Sequence, residues 1–154
     1  MLLGHETTGT LNDAQYNTAV GITAMDALTS GDSNTAVGYN ALTSLTSWDA
    51  NTAVGKDALR DHTKYSANTA VGFQALANDT EGYGNTAIGS EAMDYNDDGY
   101  YNTALGTMAL YAGQGTHHNI AVGRKAFYTL GNSGASSNNN IGIGYLAGEY
   151  MTTG

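Results

Sequence analysis

Asn51-Thr52-Ala53-Val54-Gly55-Lys56-Asp57-Ala58-Leu59 is followed seventeen residues later by Asn68-Thr69-Ala70-Val71-Gly72-Phe73-Gln74-Ala75-Leu76. The same asparagine recurs as Asn17, Asn34, Asn51, Asn68, Asn85, Asn102 and Asn119, a fixed step of 17 over the length of the chain. Periods of this length mark stacked supersecondary units rather than a single packed core. A further copy, Asn140-Ile141-Gly142-Ile143-Gly144, comes 21 residues after Asn119, so the last loop carries four extra residues. Leu3-Gly4 stands one step before Val20-Gly21.

Each copy divides into a five-residue extended rung, an Ala-Leu or Ala-Met element after two variable residues, and a polar stretch of Gly, Asn, Asp, Ser and Thr with loop chemistry. The fold class expected is all-β: a parallel β-solenoid of about eight 17-residue coils, with 1–154 forming one repeat array. The Ala-Leu element is open between a short second strand and one helical turn, since Lys56-Asp57-Ala58-Leu59-Arg60 has fair helix propensity.

In an extended rung alternate side chains share a face. Thr and Val then point one way, and Asn, Ala and Gly the other. Val exchanges only for Ile88, Leu105 and Ile143, and Thr for Ile120 and Ile141. That tolerance of larger hydrophobes predicts that Val20, Val37, Val54, Val71, Ile88, Leu105 and Val122 fill the column together with Leu42, Leu59, Leu76 and Leu110. Val71→Asp is then expected to unfold the neighbouring coils. The Ala and Gly strip is read as the face that another copy approaches, because small side chains admit a second backbone. Asn17, Asn34, Asn51, Asn68, Asn85, Asn102 and Asn119 are expected to form a ladder along the stack. The recurring glycine is read as a corner residue at positive φ.

A single coil offers about two large apolar side chains, worth roughly 1.5–3 kcal/mol each, against an ordering cost of about 1–2 kcal/mol per residue. Stability must come from stacking and association. The chain has no Cys and no Pro, so disulfides contribute nothing. Its net charge of -9 disfavours nucleic acid and anionic membranes as partners. The acids, among them Asp13, Asp26, Asp32, Asp49, Asp61, Asp79, Glu81, Asp97 and Asp98, all lie outside the rungs and are read as a solvated exterior. No apolar run approaches the length of a membrane span, and Met1-Leu2-Leu3-Gly4-His5 lacks the pattern of a signal peptide.

Catalysis needs unlike residues converging, whereas a periodic array lines up like ones. No enzymatic activity and no cofactor is expected; the only insertion with material for a cleft is 129–139. His5, His62, His117 and His118 follow no ligand spacing, although His117-His118 is a candidate metal pair if copies meet on an axis. Asn96-Asp97-Asp98-Gly99 lacks the alternating acids and distal Glu of a calcium loop and is read as a surface turn. Trp48, Tyr65, Tyr83, Tyr100 and Tyr101 fall in the variable loops, do not recur in one column, and are the candidate recognition residues for a sugar or receptor. Thr18, Thr35, Thr52, Thr69, Thr86 and Thr103 are a candidate ice-binding row, opposed by the expectation that they face inward with Val.

The rung Asn-Thr-Ala-Val-Gly, followed by two residues and Ala-Leu, resembles the head repeats of YadA-like trimeric autotransporter adhesins and the repeats of phage tail-fibre-like proteins. The likeness runs from Leu3 to Gly154, with a step somewhat longer than the usual adhesin repeat. It implies a left-handed β-roll assembled as a homotrimer, an internal segment of a longer fibre. It also implies an extracellular setting, on a virion tail fibre or a bacterial surface, where the fibre attaches to a glycan or protein receptor. No residue role is carried over, because no tip region is present to receive one.

Overall fold

The computed structural model describes residues 2–3, 14–131 and 137–151. Its strands are β1 (Leu2–Leu3), β2 (Thr18–Val20), β3 (Thr35–Val37), β4 (Thr52–Val54), β5 (Thr69–Val71), β6 (Thr86–Ile88), β7 (Thr103–Leu105), β8 (Ile120–Val122), β9 (Thr129–Leu130), β10 (Ile141–Ile143) and β11 (Tyr150–Met151). Nine of them form one sheet in the order β1-β2-β3-β4-β5-β6-β7-β8-β10. Every pairing is parallel. The protein is a β-solenoid of about eight coils, and no helix occurs among the described residues.

Register follows the sequence period: Thr52 lies against Thr69, Ala53 against Ala70 and Val54 against Val71. Leu3 pairs with Val20, so the repeat phase inferred for the start of the chain holds there. The four extra residues before Asn140 leave pairing intact, with Ile120 beside Ile141 and Ile143 beside Val122. The loop absorbs the insertion. Residues 132–136 of that loop, like His5, Asp13 and the 152–154 end, lie outside the described residues.

Each rung is bonded in both axial directions. The Thr69 N–H donates to the Asn85 carbonyl at 2.8 Å, and the Gly72 N–H donates back to the Val54 carbonyl at 2.8 Å. A Cβ on Gly72, which sits at φ 142°, would come within 2.4 Å of the Gly89 carbonyl oxygen. The glycine column thus serves the corner conformation and also the close approach of the next coil.

The Ala-Leu element is neither strand nor helical turn. Leu42, Leu59, Leu76 and Leu110 occupy the left-handed region at φ 49–52°. That conformation costs roughly 1–2 kcal/mol for a residue with a Cβ. The offset is a second axial ladder: the N–H groups of Leu42, Leu59, Leu76 and Leu110 donate to Ala58, Ala75, Ala92 and Ala126 at 2.9–3.1 Å. A buried Leu side chain accompanies each bond, so hydrogen bonding and apolar burial hold the same strained turn.

The rungs present the face opposite to the one expected. Ala36, Ala53, Ala70, Ala87, Ala104 and Ala121 are fully buried within one chain and pack with Leu42, Leu59, Leu76 and Leu110, which are also buried. Val20, Val54, Val71 and Val122 are only half-buried. Val37 is 37 % exposed, Ile88 40 % and Leu105 46 %. The Val row therefore does not fill the column, and the Ala strip is interior rather than a contact face. The coil is narrow between rung and Ala-Leu turn, so a methyl is the largest group that fits there, and an outward position accepts any β-former. One exchange makes the point. Where Phe127 replaces Leu, the facing rung residue is Gly142, and a Cβ on it would meet the Phe127 ring at 2.7 Å.

Candidate functional site

Asparagine comes first, because its burial sets the loop geometry. Asn34, Asn51, Asn68, Asn85 and Asn119 are fully buried and Asn102 nearly so, while Asn17 is half-buried. The Asn68 Oδ1 accepts the Asn85 N–H at 3.0 Å, and its Nδ2 donates to the Gly82 carbonyl at 2.9 Å. The same two bonds recur from Asn85 to Asn102 and Gly99, and from Asn102 to Asn119 and Thr116. The ladder is therefore mainly amide to backbone, one rung's side chain closing the loop of the next coil. Each rung asparagine from Asn17 to Asn119 takes part.

Inside the column Leu28, Leu45, His62, Asp79 and Asn96 share one register, with Gly113 next and Leu130 beyond it. The apolar row is thus interrupted by a buried polar triad. His62 Nδ1 lies 2.9 Å from Asp79 Oδ2, and the Asn96 Nδ2 donates to Asp79 Oδ1 at 3.1 Å. His62 Nε2 faces the Tyr65 carbonyl at 3.2 Å. Burial pushes the Asp79 carboxyl above the ordinary carboxylate range, while the bonds from His62 and Asn96 oppose the shift. The reading of all the acids as a solvated exterior fails here, and fails also for Asp57 and Asp94, both buried. Asp79 falls inside because its register is that of the core residues Leu28, Leu45 and Leu130.

The loop aromatics do form a column. Trp48 and Tyr65 lie 5.6 Å apart, Tyr65 and Tyr83 5.7 Å, Tyr83 and Tyr100 4.8 Å, and Tyr100 and His117 3.7 Å, the last two pairs stacked nearly parallel. Tyr101 stands edge-on to Tyr83 at 5.1 Å. A fixed-period reading misses this alignment because Trp48 and Tyr65 stand three residues before their rung asparagines, whereas Tyr83, Tyr100 and His117 stand two before theirs. Gly82 explains the shift: a Cβ there would lie 2.1 Å from Asp79 Oδ1, so the ring moves to the next position. Parallel bridges Tyr83 to Tyr100 and Tyr100 to His117 give this part of the column a β backbone.

Between these rings lies an open groove of about 540 Å³, bounded by Trp48, Tyr65, Tyr83, Tyr101, Ser66 and Ala67. Its lining carries no charged side chain. A second column joins Tyr95, Tyr111 and Tyr128 at 5.3 and 5.0 Å, with Lys125 over the Tyr128 ring at 4.7 Å. Burial there pushes the Tyr111 hydroxyl up to about 12. Desolvation holds the His117 imidazole below its ordinary value of 6.5, outweighing the raising effect of Asp98.

His117 and His118 are spent on ring contacts to Tyr100 and Tyr101. No group of three or more metal-ligating side chains converges among the described residues. In the Asn96 to Gly99 turn, Asn96 is buried in the triad, the Asp97 carboxylate accepts the Thr80 hydroxyl and the Asp98 carboxylate accepts the Gly115 N–H. No helix among the described residues is long and apolar enough to cross a membrane. Compared with protein-family models, with curated proteins and with solved structures, the chain matches none.

Proposed function

We propose that this chain is a rigid, non-enzymatic segment of an adhesive fibre, built from copies of itself and carried outside the cell on a virion tail fibre or a bacterial surface. The observation that supports it is the outward Thr/Val face. Eight in-register parallel strands, β2 to β8 and β10, stacked over roughly 40 Å, present uncharged side chains only. The face becomes more apolar toward β10, where Ile120 is 40 % exposed, Ile141 69 % and Ile143 70 %. A flat apolar face of this kind fits association with a second copy better than water. The resemblance to trimeric adhesin and tail-fibre repeats supplies the number three and the left hand of the coil. Light scattering coupled to size exclusion tests the proposal: a three-chain mass supports it, and a stable monomer across the micromolar range refutes it.

A second reading is favoured by the same face. The hydroxyls of Thr18, Thr35, Thr52, Thr69, Thr86 and Thr103 lie on the outside in register, contrary to the inward placement that counted against ice binding. Ice binding predicts thermal hysteresis that Thr69→Tyr abolishes. The fibre reading predicts none.

A further inference from the structure

The groove beside the aromatic column is independent of the Thr/Val face and is assigned no ligand by the fibre reading. Its rings are not equivalent. Tyr83, Tyr100 and His117 stack on one another, so their faces are covered and they act as a wall. Trp48 and Tyr65 are tilted at 43° to each other, Tyr65 and Tyr83 at 56°, and Tyr101 stands at 76° to Tyr83. Trp48, Tyr65 and Tyr101 are all exposed. We infer that the groove from Trp48 to Tyr101 is a binding site for an extended, uncharged, β-linked polysaccharide, whose sugar rings stack on Trp48, Tyr65 and Tyr101.

Three features select that ligand. First, the step of 5.6 Å from Trp48 to Tyr65, two of the three proposed stacking rings, is close to the length of one pyranose in a straight β-linked ribbon. An α-1,4 chain curls and loses this match after one or two units. Second, pyranose C–H faces are apolar with hydroxyls at the rim, which suits an apolar floor with a few polar edges. Ser66 Oγ already accepts the Asp49 N–H at 3.2 Å, which leaves its own O–H to donate to a sugar hydroxyl. Third, the lining is uncharged and the chain carries -9, so sialylated, uronic or phosphorylated polymers are repelled. The Tyr83 to Tyr100 bridge fixes the wall before any ligand arrives, which lowers the ordering cost of binding.

The inference rests on the adhesive reading for its biological role and is tested separately from it. Trp48 is the only tryptophan of the chain, so tryptophan emission excited at the red edge, where tyrosine does not absorb, reports on this groove alone. The full chain is titrated into the millimolar range with cellohexaose, with chitohexaose, with maltohexaose and with a proline-rich peptide, and its mass is checked on the same sample. The expected result is a saturable change in Trp48 emission with a β-linked hexasaccharide and none with maltohexaose. Tyr65→Ala and Tyr101→Ala should each weaken that binding about three- to tenfold while circular dichroism and mass stay unchanged. Tyr101, the more exposed ring, keeps the test open if Tyr65→Ala fails to fold. The proposal is overturned if neither β-linked oligosaccharide changes the emission, if maltohexaose binds equally well, or if only the peptide binds. A normal mass with no sugar binding would remove the groove assignment and leave the fibre reading standing.

Discussion

Replacing Asn68 by alanine removes one side chain and strips two backbone groups of their partners. Asn68 is fully buried, its Oδ1 accepts the Asn85 N–H at 3.0 Å, and its Nδ2 donates to the Gly82 carbonyl at 2.9 Å. Asn85 and Gly82 are themselves buried, so bulk water does not reach the orphaned groups without opening the coil. Each unsatisfied buried group costs about 1–3 kcal/mol, which sets the loss at about 2–6 kcal/mol. Stability in a solenoid is a sum of coil and interface terms, so the damage should spread to the coils on either side before the ends. Urea unfolding followed by circular dichroism measures the loss, with Asn17→Ala as the comparison, because Asn17 is half-buried and lies at the first full coil. Asn68→Ala should lose at least 1 kcal/mol more than Asn17→Ala. If the two variants lose equally, or Asn68→Ala loses less than about 1 kcal/mol, the amide-to-backbone ladder does not hold the coils together.

Three further outcomes follow from the interior and from the aromatic column. Gly142→Ala places a methyl against the Phe127 ring and should cost about 1–3 kcal/mol; in a Phe127→Leu background the cost should vanish, and a thermal-denaturation double-mutant cycle reads the coupling. Asp79→Leu alone breaks the buried contact to His62 and should cost about 3–5 kcal/mol, whereas His62→Leu, Asp79→Leu and Asn96→Leu together extend the Leu28 and Leu45 column and should recover most of it by urea unfolding. For His117 the folded value lies below the unfolded 6.5, so the folded state binds fewer protons. Its contribution is fully present above 6.5 and is lost as pH falls below 6.5 through the lowered folded value. The melting temperature should therefore drop more between about pH 7.5 and about pH 5 in the parent than in His117→Phe; equal drops would show that His117 is not the group responsible.

The period of 17 made the coil, the parallel pairing and the register legible, because loops of fixed length leave Thr52 no partners but Thr35 and Thr69. The asparagine column was legible for the same reason, although its bonds run mainly to backbone, with amide-to-amide contacts only at a few steps such as Asn119 to Asn102. The facing of the rungs is not legible from hydrophobic exchange, because exchange among large apolar residues marks an unconfined position and not a buried one. Size invariance was the better signal: Ala gives way only to Gly142, where Phe127 needs the space, while Val, Ile and Leu interchange where no neighbour limits them. The Leu turn was missed since no residue type announces a left-handed leucine; tertiary bonds such as Leu59 N–H to Ala75 impose it. The aromatic column escaped notice because the shift of one residue between Tyr65 and Tyr83 breaks the period in sequence while preserving it in space.

The account turns on which side of the rung faces out, and the solution mass of Val71→Asp beside the parent tests it most directly, with circular dichroism on the same fractions. Val71 lies on the outward face of β5 and Ala70, its buried neighbour, on the inward one. The predicted result is a three-chain parent and a Val71→Asp variant that keeps its β spectrum but loses its partners. A Val71→Asp chain that unfolds, or one that retains both spectrum and oligomeric mass, would contradict the account.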